Sequence, residues 1–308
     1  MKKIALAAVL LAGWAGTALA SSYDDLNAGI QYYNQEQWQA AISAFDKALS
    51  AGDLVPDLQF IAHFDRGQSY ARLARLGAAI EDYSASLQVR PAEVQVLMER
   101  AASYANSGKL DLAAGDIDRA IGLHPTLSQA FAIRAAINIR RGQPDKSRED
   151  MKMISKLLPD DARRGTGIGI INWEAGQIDN AEGNFSYEAD HGPNNIYGWL
   201  WYALTEARLG KSVPRRSLPD ADLAKWPGPI INFFLGSASR DTVFEAAATG
   251  DAQAVTGQVC EANFYVGEWL LRNHDSTAAK PLIAKAANIC PASFIEWMPA
   301  QLDQAEAP

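Results

Sequence analysis

The chain has 308 residues, with 28 lysines and arginines against 36 aspartates and glutamates, and its formal net charge is −8. Nucleic acid and anionic membrane surfaces both require a cationic face, so an acidic chain with scattered basic residues is a poor candidate for either. The length is sufficient for one large globular domain or for an array of repeats.

Residues 1–20 have the pattern of a secretory signal peptide. Two lysines precede an apolar run from Ile4 to Leu11, and Ala18-Leu19-Ala20 provides a cleavage site. A membrane anchor would need roughly 20 apolar residues, which is longer than this run. The segment also has no cysteine that could carry a lipid. We therefore expect a secreted, periplasmic protein with no membrane span and no lipid anchor, whose mature chain starts near Ser21.

Internal periodicity is the strongest signal in the sequence. Two residue types recur in one phase, 34 residues apart each time: Pro91, Pro125, Pro159 and Pro193, and Gly108, Gly142, Gly176 and Gly210. A period of about 34 residues is typical of stacked helix–turn–helix units. Glycine tolerates the positive φ of a turn between two helices, and proline ends the second helix of a unit.

The same phase places small residues where paired helices would touch. On the first helix of each unit these are Gly29, Gly67, Ala101, Ala135, Gly169, Ala203 and Gly267. On the second helix they are Ala41, Ala79, Ala113, Ser147, Ala181 and Ala279, with large residues such as Phe45, Tyr83 and Phe185 around them. The stretch GQSYARLARLGAAIEDYSASLQVRP, residues 67–91, resembles the tetratricopeptide repeat (TPR). The resemblance implies an all-α TPR solenoid, a right-handed superhelix of helix–turn–helix repeats.

The glycines Gly165, Gly167 and Gly169 alternate with small or apolar residues, as in a loop that wraps a phosphate. A dinucleotide-binding loop follows a strand, and the pattern predicts no strand before this segment. In the repeat phase the segment is instead the first helix of the fifth unit, with Gly169 at the small packing position. We predict a weakened helix here and no cofactor.

The repeat phase divides the chain into four parts. Residues 1–20 are the signal peptide, and residues 21–210 are a TPR array of about five and a half repeats. Pro214 and Pro219 prevent the next second helix, so residues 211–258 are predicted to be irregular, with short helices at 229–236 and 241–250, the latter capped by Asp241. Residues 259–308 form a closing TPR unit and a helix that covers the open end of the stack.

The C-terminal third carries more specific motifs. These are Trp226-Pro227-Gly228-Pro229-Ile230-Ile231, followed by FFLG, CEANFYVGEWLL and CPASFIEW. They resemble the C-terminal half of the NlpI (new lipoprotein I) family of periplasmic TPR proteins. The resemblance implies a non-enzymatic adaptor that docks cell-envelope proteases and murein hydrolases, often as a homodimer. NlpI carries a lipid on its first mature cysteine, which this chain lacks, so only the soluble adaptor role carries over.

The chain has two cysteines, Cys260 and Cys290. Antiparallel pairing of the two helices in the closing unit brings these positions to the same side of the hairpin, so we predict a disulfide. Closing a loop of this length stabilises by ~3–4 kcal/mol in the chain-entropy model. Two buried free thiols are the alternative, and the spacing is too wide for a CxxC redox motif.

The sequence contains little that indicates catalysis. The four histidines fall at unrelated positions and form no metal-ligand spacing, so no metal site is predicted. No nucleophile motif is visible either. A triad is recognised by geometry, so a hydrolase with a distributed Ser/His/Asp site is kept as the weakest hypothesis.

The TPR resemblance places the first helices on the inner wall of the superhelix. One position on that wall forms a polar series of Asn34, Arg72, Asn106, Arg140, Glu174, Arg208 and Arg272, which suits peptide carbonyls or carboxylates. Gln68 lies one turn earlier, and Tyr33, Phe64, Met98 and Trp173 flank the wall. We predict a partner-binding groove consisting of Tyr33, Asn34, Phe64, Gln68, Arg72, Met98, Asn106, Arg140, Trp173 and Arg208. In the alternative, the polar series is a solvated face and the apolar residues are buried against a neighbouring helix or a dimer partner.

Three functions are compatible with these features. The first is a periplasmic adaptor for a protease, a murein hydrolase or an envelope assembly complex. The second is a soluble binding protein whose groove holds a small ligand or a peptidoglycan fragment. The third is the unrecognised hydrolase. The sequence does not name the partner.

Overall fold

The computed structural model describes residues 18–158, 166–191, 195–214, 222–292 and 294–306, which are all-α: no strand occurs in these ranges. Most of the predicted signal peptide, Gly165, and the repeat prolines Pro159 and Pro193 lie outside them, as does Pro219. The chain divides into two compact units, with the boundary between Pro125 and Thr126. We call them unit 1 and unit 2.

Unit 1 consists of three helix pairs. Its helices are α1 (Ala18–Asn34), α2 (Trp38–Ser50), α3 (Pro56–Arg72), α4 (Leu76–Val89), α5 (Val94–Asn106) and α6 (Leu110–Leu123). Each of these helices packs on the helix that follows it in the chain, from the pair α1 and α2 to the pair α5 and α6. The core between paired helices is apolar and includes Phe45, Tyr83 and Ile117, which are fully buried.

Small residues allow these pairs to approach closely. A Cβ atom on Gly29 would lie 2.6 Å from the Phe45 ring, and one on Gly67 would lie 2.9 Å from the Tyr83 ring. Both distances are shorter than van der Waals contact, so the predicted packing role of these glycines is confirmed. The turn between α5 and α6 passes through Gly108 with φ 77°, a conformation that glycine adopts without strain.

Buried ion pairs also join first and second helices, and the repeat pattern did not predict them. In unit 1 they link Arg66 to Asp82 and Arg100 to Asp116. A matching pair in unit 2 links Arg134 to Asp150. The spacing between arginine and aspartate is 16 residues in each pair.

Unit 2 begins with two helix pairs and ends with a third, and an irregular stretch lies between them. Its helices are α7 (Ser128–Arg140), α8 (Pro144–Leu157), α9 (Thr166–Glu174), α10 (Ile178–His191), α11 (Ile196–Arg208), α12 (Gly228–Phe234), α13 (Arg240–Ala247), α14 (Ala252–Arg272), α15 (Ser276–Ile289) and α16 (Trp297–Glu306). Gly169 in α9 has the predicted packing role, because a Cβ atom there would lie 2.5 Å from the Phe185 ring.

The irregular stretch follows α11. Residues 211–214 and 222–227 form no helix, and α12 and α13, which follow, are short helices of 7 and 8 residues. The prediction for the start of α13 was wrong in one detail. Its N-cap is Ser239, whose hydroxyl accepts a hydrogen bond from the Thr242 amide at 3.2 Å, while Asp241 lies inside the first turn.

The closing helix pair is joined covalently. Cys260 of α14 and Cys290 after α15 form the predicted disulfide, with their Cα atoms 5.0 Å apart. The helix α14 starts at Ala252, capped by the Asp251 carboxylate, and is therefore longer than the repeat phase predicted. Trp199 and Trp201 of α11 are fully buried in the core of this unit, with the Trp201 ring beside Phe185 and Phe264.

The last helix has more contacts than a cap on the open end of a stack would have. It packs on α15, as expected for a cap, and also on α7, α8 and α9 from the start of unit 2. Sequence periodicity did not indicate these additional contacts.

Candidate functional site

The first candidate surface lies in unit 1, where α1, α3 and α5 present their side chains. The Tyr33 hydroxyl donates a hydrogen bond to Oε1 of Gln68 at 2.7 Å, which connects α1 to α3. The Arg72 guanidinium lies 5.9 Å from the centre of the Trp38 ring, a cation–π distance. These contacts hold two of the predicted groove residues, Gln68 and Arg72, in position one turn apart on α3.

A pocket of about 230 Å³ lies between α3, α4 and α5. It is lined by Gln68, Ala71, Arg72, Leu76, Tyr83, Glu99, Ala102, Ser103 and Asn106, and we call it the unit 1 pocket. Three residues from the predicted groove, Gln68, Arg72 and Asn106, are therefore together at one place. Arg72 and Asn106 are the last residues of α3 and α5, and both are exposed.

Tyr83 is the unusual member of this pocket. The residue is fully buried, yet its hydroxyl has no hydrogen-bond partner among the described residues. Burial is the main cause that raises the pKa of Tyr83, and the charge of Glu99 adds to it, so the hydroxyl keeps its proton. An unpaired buried hydroxyl costs free energy unless a partner group satisfies it. The hydroxyl is therefore a donor without an acceptor at the wall of a pocket.

Two carboxyl groups give this surface a pH-dependent charge. Burial raises the pKa of Asp65 from 3.8 to about 7. Burial also raises the pKa of Glu99, and the positive charge of Arg72 opposes that increase. The pocket therefore combines one permanent cation, Arg72, with one carboxyl group, Glu99, that holds its proton more tightly than an exposed one, and Asp65 lies outside the pocket lining. Neither acid was predicted as a site residue from the sequence, although their separation of 34 residues puts them in the repeat phase.

The other predicted groove residues of unit 1 have different environments. Met98 is 8% exposed and belongs to the core, so its prediction as a binding residue was wrong and the buried alternative is correct. Phe64 is half-buried, with its ring 6.1 Å from those of Phe60 and Tyr83. Asn34 is exposed at the end of α1, and its side chain forms no hydrogen bond with a described residue.

In unit 2 the predicted groove residues are mostly covered. Trp173 is 2% exposed and packs on Trp201 with ring centres 5.5 Å apart, so it is a core residue and not an exposed contact. The guanidinium of Arg208 lies over the Trp173 ring at 4.7 Å. Arg140 is exposed at the end of α7 and makes no ion pair with a described residue.

Three acidic side chains come together beside Trp173. They are Glu174 at the end of α9, Glu268 of α14 and Asp303 of α16, and all three are buried. Arg272 lies 3.2 Å from a Glu268 oxygen and 3.5 Å from an Asp303 oxygen. Burial, reinforced by the charge of Asp303, raises the pKa of Glu174 and of Glu268 to about 8. Glu174 and Arg272 of the polar series therefore belong to a buried network, whereas Arg140 keeps the exposed position that the solvated-face alternative describes.

Within the described ranges, no group of three His, Cys, Asp or Glu side chains could hold a metal ion. None of the helices described is long and apolar enough to cross a membrane.

Comparison with known proteins agrees with the helix-pair architecture. Two overlapping segments, residues 26–93 and 64–128, match the tetratricopeptide repeat family. The chain is similar to a tetratricopeptide repeat protein from Parabacteroides merdae, with 16% identity and a TM-score of 0.53 over 93% of this chain and 99% of that chain. It is also similar to the C-terminal part of a TPR repeat-containing protein from Cytophaga hutchinsonii, with 16% identity and a TM-score of 0.50 over 88% of this chain and 97% of that chain. The predicted fold class, an all-α TPR solenoid, is confirmed. Likeness at this level of identity carries no information on function.

Proposed function

We propose that this tetratricopeptide-repeat chain is a non-enzymatic protein–protein interaction scaffold, and that the unit 1 pocket is part of its partner-binding surface. Tetratricopeptide repeats are typical of interaction scaffolds, which supports the general role. One observation supports this position for the binding surface. Gln68, Arg72 and Asn106 line the same pocket as Tyr83, whose hydroxyl has no hydrogen-bond partner among the described residues. The exposed Arg72 and Asn106, together with Gln68, can donate hydrogen bonds, so they suit the carbonyl and carboxylate oxygens of a peptide.

The size of the pocket favours a peptide over a free small molecule. Pockets that enclose drug-sized ligands have volumes of roughly 300–1,000 Å³. The unit 1 pocket, at about 230 Å³, has room for one or two side chains but not for a disaccharide–peptide fragment of peptidoglycan. We therefore rank the adaptor above the small-ligand binding protein, and the hydrolase stays the least supported of the three.

The cellular context is a proposal from the sequence. A signal-peptide pattern at residues 1–20 and the Cys260–Cys290 disulfide both support the oxidising periplasm. The resemblance of the C-terminal motifs to the NlpI family supports a cell-envelope protease, a murein hydrolase or an envelope assembly complex as the partner. The same resemblance supports a homodimer.

The test is affinity purification of the mature chain from its own periplasm, followed by mass spectrometry of the proteins that co-elute. We expect one envelope protease or hydrolase in stoichiometric amount, and at least a tenfold loss with Arg72→Glu. Lys47→Glu is the matched control, because Lys47 is exposed on α2 and the substitution changes the net charge equally. Arg140→Glu, in unit 2, shows whether that exposed cation also takes part.

Three results would contradict the proposal. Equal recovery of the partner with Arg72→Glu and with Lys47→Glu would remove the unit 1 pocket from the binding surface. Release of a small molecule or muropeptide on denaturation, with no co-eluting protein, would support the ligand-binding function instead. Turnover of murein or peptide substrates by the pure protein would support the hydrolase.

A further inference from the structure

The starting observation is the place where α16 lies in unit 2. The helix contacts α15, α7, α8 and α9, and the Ser147 hydroxyl is 3.8 Å from the sulfur of Met298. Pro299, Ala300 and Leu302 are buried, which gives α16 an apolar side against these helices. One face of α16 thus occupies the surface that the first helices of this unit present.

The polar end of this contact binds the carboxylate of Asp303. We call the side chains at this end, Arg208, Arg272 and Trp173, the seat. Asp303 is 3% exposed, and Arg272 approaches it to 3.5 Å. Arg272 is also 5.8 Å from the centre of the Trp173 ring, and Arg208 lies over the same ring. The two arginines are the last residues of α14 and α11, where a helix terminus favours a cation. The seat therefore places Arg272 against an acid carried by α16, with Arg208 on the same tryptophan ring.

The hydrogen bonding of Asp303 at the seat is incomplete, and other acidic side chains lie close to it. Glu268 faces both arginines, and the charge of Asp303 acts on Glu174 and on Glu268, so three carboxyl groups lie close together here. Among the described residues, Oδ2 of Asp303, Oε1 of Glu268, Nε of Arg272 and Nε1 of Trp173 are buried without a hydrogen-bond partner. Buried polar atoms without partners weaken an interface, because their hydration is lost and nothing replaces it.

The covalent structure leaves α16 free to leave the seat. The disulfide fixes Cys290 to α14, and α16 follows it as the last helix of the chain. A helix of 10 residues has little stability in water by itself, so its helical state depends on the surface beneath it.

We propose that the surface beneath α16, made by Trp173, Glu174, Arg208, Glu268 and Arg272, is a helix-binding site that the chain's own α16 occupies. Its partner is an amphipathic helix with apolar residues on one side and an acidic residue in the place of Asp303. Recognition of a helix laid in an apolar surface with one charge pair is an established mode of peptide binding. The proposal extends the scaffold function to unit 2, and it rests on that function only for its biological role.

The tether to α15 determines how strongly α16 competes. A segment joined by a short connection has an effective concentration in the millimolar range, so a free peptide binds weakly to the intact chain. When α16 is released, the same peptide meets an empty surface and its measured affinity rises. The difference between the two states is the property to measure.

The experiment uses the full mature chain and a fluorescein-labelled synthetic peptide with the sequence of residues 294–308. Asp303→Arg puts a cation beside Arg272 and is expected to release α16. We expect faster amide hydrogen exchange in residues 297–306 and at least tenfold tighter peptide binding than to the unchanged chain. Gln304→Arg is the control, because Gln304 is exposed on the same helix. A peptide that itself carries the Asp303→Arg change should not bind.

A second variant covers the case in which Asp303→Arg disturbs unit 2. Gln301→Pro breaks α16 in its interior and leaves the charges of the seat unchanged. If tryptophan fluorescence shows that both variants unfold unit 2, α16 is an integral part of the fold and the proposal is wrong. Unchanged exchange in α16, released α16 without peptide binding, or a new dimer that excludes the peptide would each overturn it as well. None of these results affects the purification test on Arg72, so the two proposals fail separately.

Discussion

Arg100 of α5 and Asp116 of α6 form a two-point ion pair, with both nitrogen–oxygen distances at 2.7 Å. The Asp116 side chain is 7% exposed and that of Arg100 is 15% exposed, so water screens the pair poorly. Arg100 also donates to the Ser84 hydroxyl at 2.9 Å, which connects the pair to the preceding second helix, α4. One arginine therefore joins three helices of unit 1.

Removing one partner of this pair should destabilise unit 1. Arg100→Ala leaves the Asp116 carboxylate buried without its counter-charge, which costs about 3–5 kcal/mol for a buried pair. Arg90→Ala is the control, because its pair with Asp57 is largely exposed and exposed pairs contribute about 0–1 kcal/mol. Urea unfolding followed by circular dichroism measures both. A loss below about 1 kcal/mol for Arg100→Ala would mean that Asp116 regains water or another donor.

Two glycines of unit 1 should respond to alanine in opposite directions. Gly67→Ala places a Cβ atom 2.9 Å from the Tyr83 ring, so the helices must separate, which costs about 1–3 kcal/mol. Gly115→Ala in α6 has no atom within 4 Å of the new Cβ and should stabilise by about 1 kcal/mol through helix propensity. The same urea measurement applies. Equal effects of the two substitutions would contradict the close approach of α3 and α4.

The buried acids of unit 2 should make the protein more stable at pH 5 than at pH 8. Glu174 and Glu268 titrate near 8 when folded, against 4.5 for an ordinary glutamate, so the folded chain binds more protons over this range. The free energy of unfolding therefore falls as the pH rises from about 5 to about 8. Asp65 and Glu296, with pKa values raised to about 7, act in the same direction.

Substitution of the two glutamates tests this linkage. Glu174→Gln with Glu268→Gln should reduce the change between the two pH values by on the order of 1–3 kcal/mol. Tryptophan fluorescence is the appropriate probe, because six of the eight tryptophans (Trp173, Trp199, Trp201, Trp226, Trp269 and Trp297) lie in unit 2. Glu81→Gln, an exposed residue of unit 1, is the control. A pH dependence unaffected by the double substitution would show that these acids are not the groups responsible.

The Tyr83 hydroxyl allows stability and binding to be separated. Tyr83→Phe removes a buried group that has no internal partner, so the free energy of unfolding should stay within about 0.5 kcal/mol of its original value or rise. If a partner accepts a hydrogen bond from this hydroxyl, its affinity should fall by roughly fivefold to tenfold, as expected for a hydrogen bond of about 1 kcal/mol or slightly more. Titration calorimetry with the purified partner measures the second effect. Full affinity with Tyr83→Phe would place the partner away from this part of the pocket.

Removal of the disulfide should destabilise unit 2. The bond closes a separation of 30 residues, and the chain-entropy model gives about 3–4 kcal/mol for a loop of this length. Cys260→Ser with Cys290→Ser should lower the urea midpoint reported by tryptophan fluorescence. An unchanged urea midpoint in the double variant would contradict a stabilising role of the bond.

The periodic features of this protein were predictable from the sequence alone. The 34-residue spacing of glycine and proline determines where helices end, and the small residues Gly29, Gly67 and Gly169 determine where paired helices touch. These effects depend on neighbours within a single repeat, so a local pattern is sufficient to predict them. The disulfide was predictable for the same reason, because both cysteines belong to one hairpin.

The candidate sites depended on contacts between distant parts of the chain. Met98 and Trp173 occupy wall positions in the repeat phase, yet neighbouring helices bury both of them. Asp303 is more than 100 residues from Glu174, and only the position of α16 brings their charges together. Repeat phase assigns a side chain to a face of its own helix, whereas burial depends on whatever else packs on that face. The all-α repeat fold was therefore determined by the sequence pattern, while the covered surface of unit 2 and the unpaired Tyr83 hydroxyl were decided by tertiary packing.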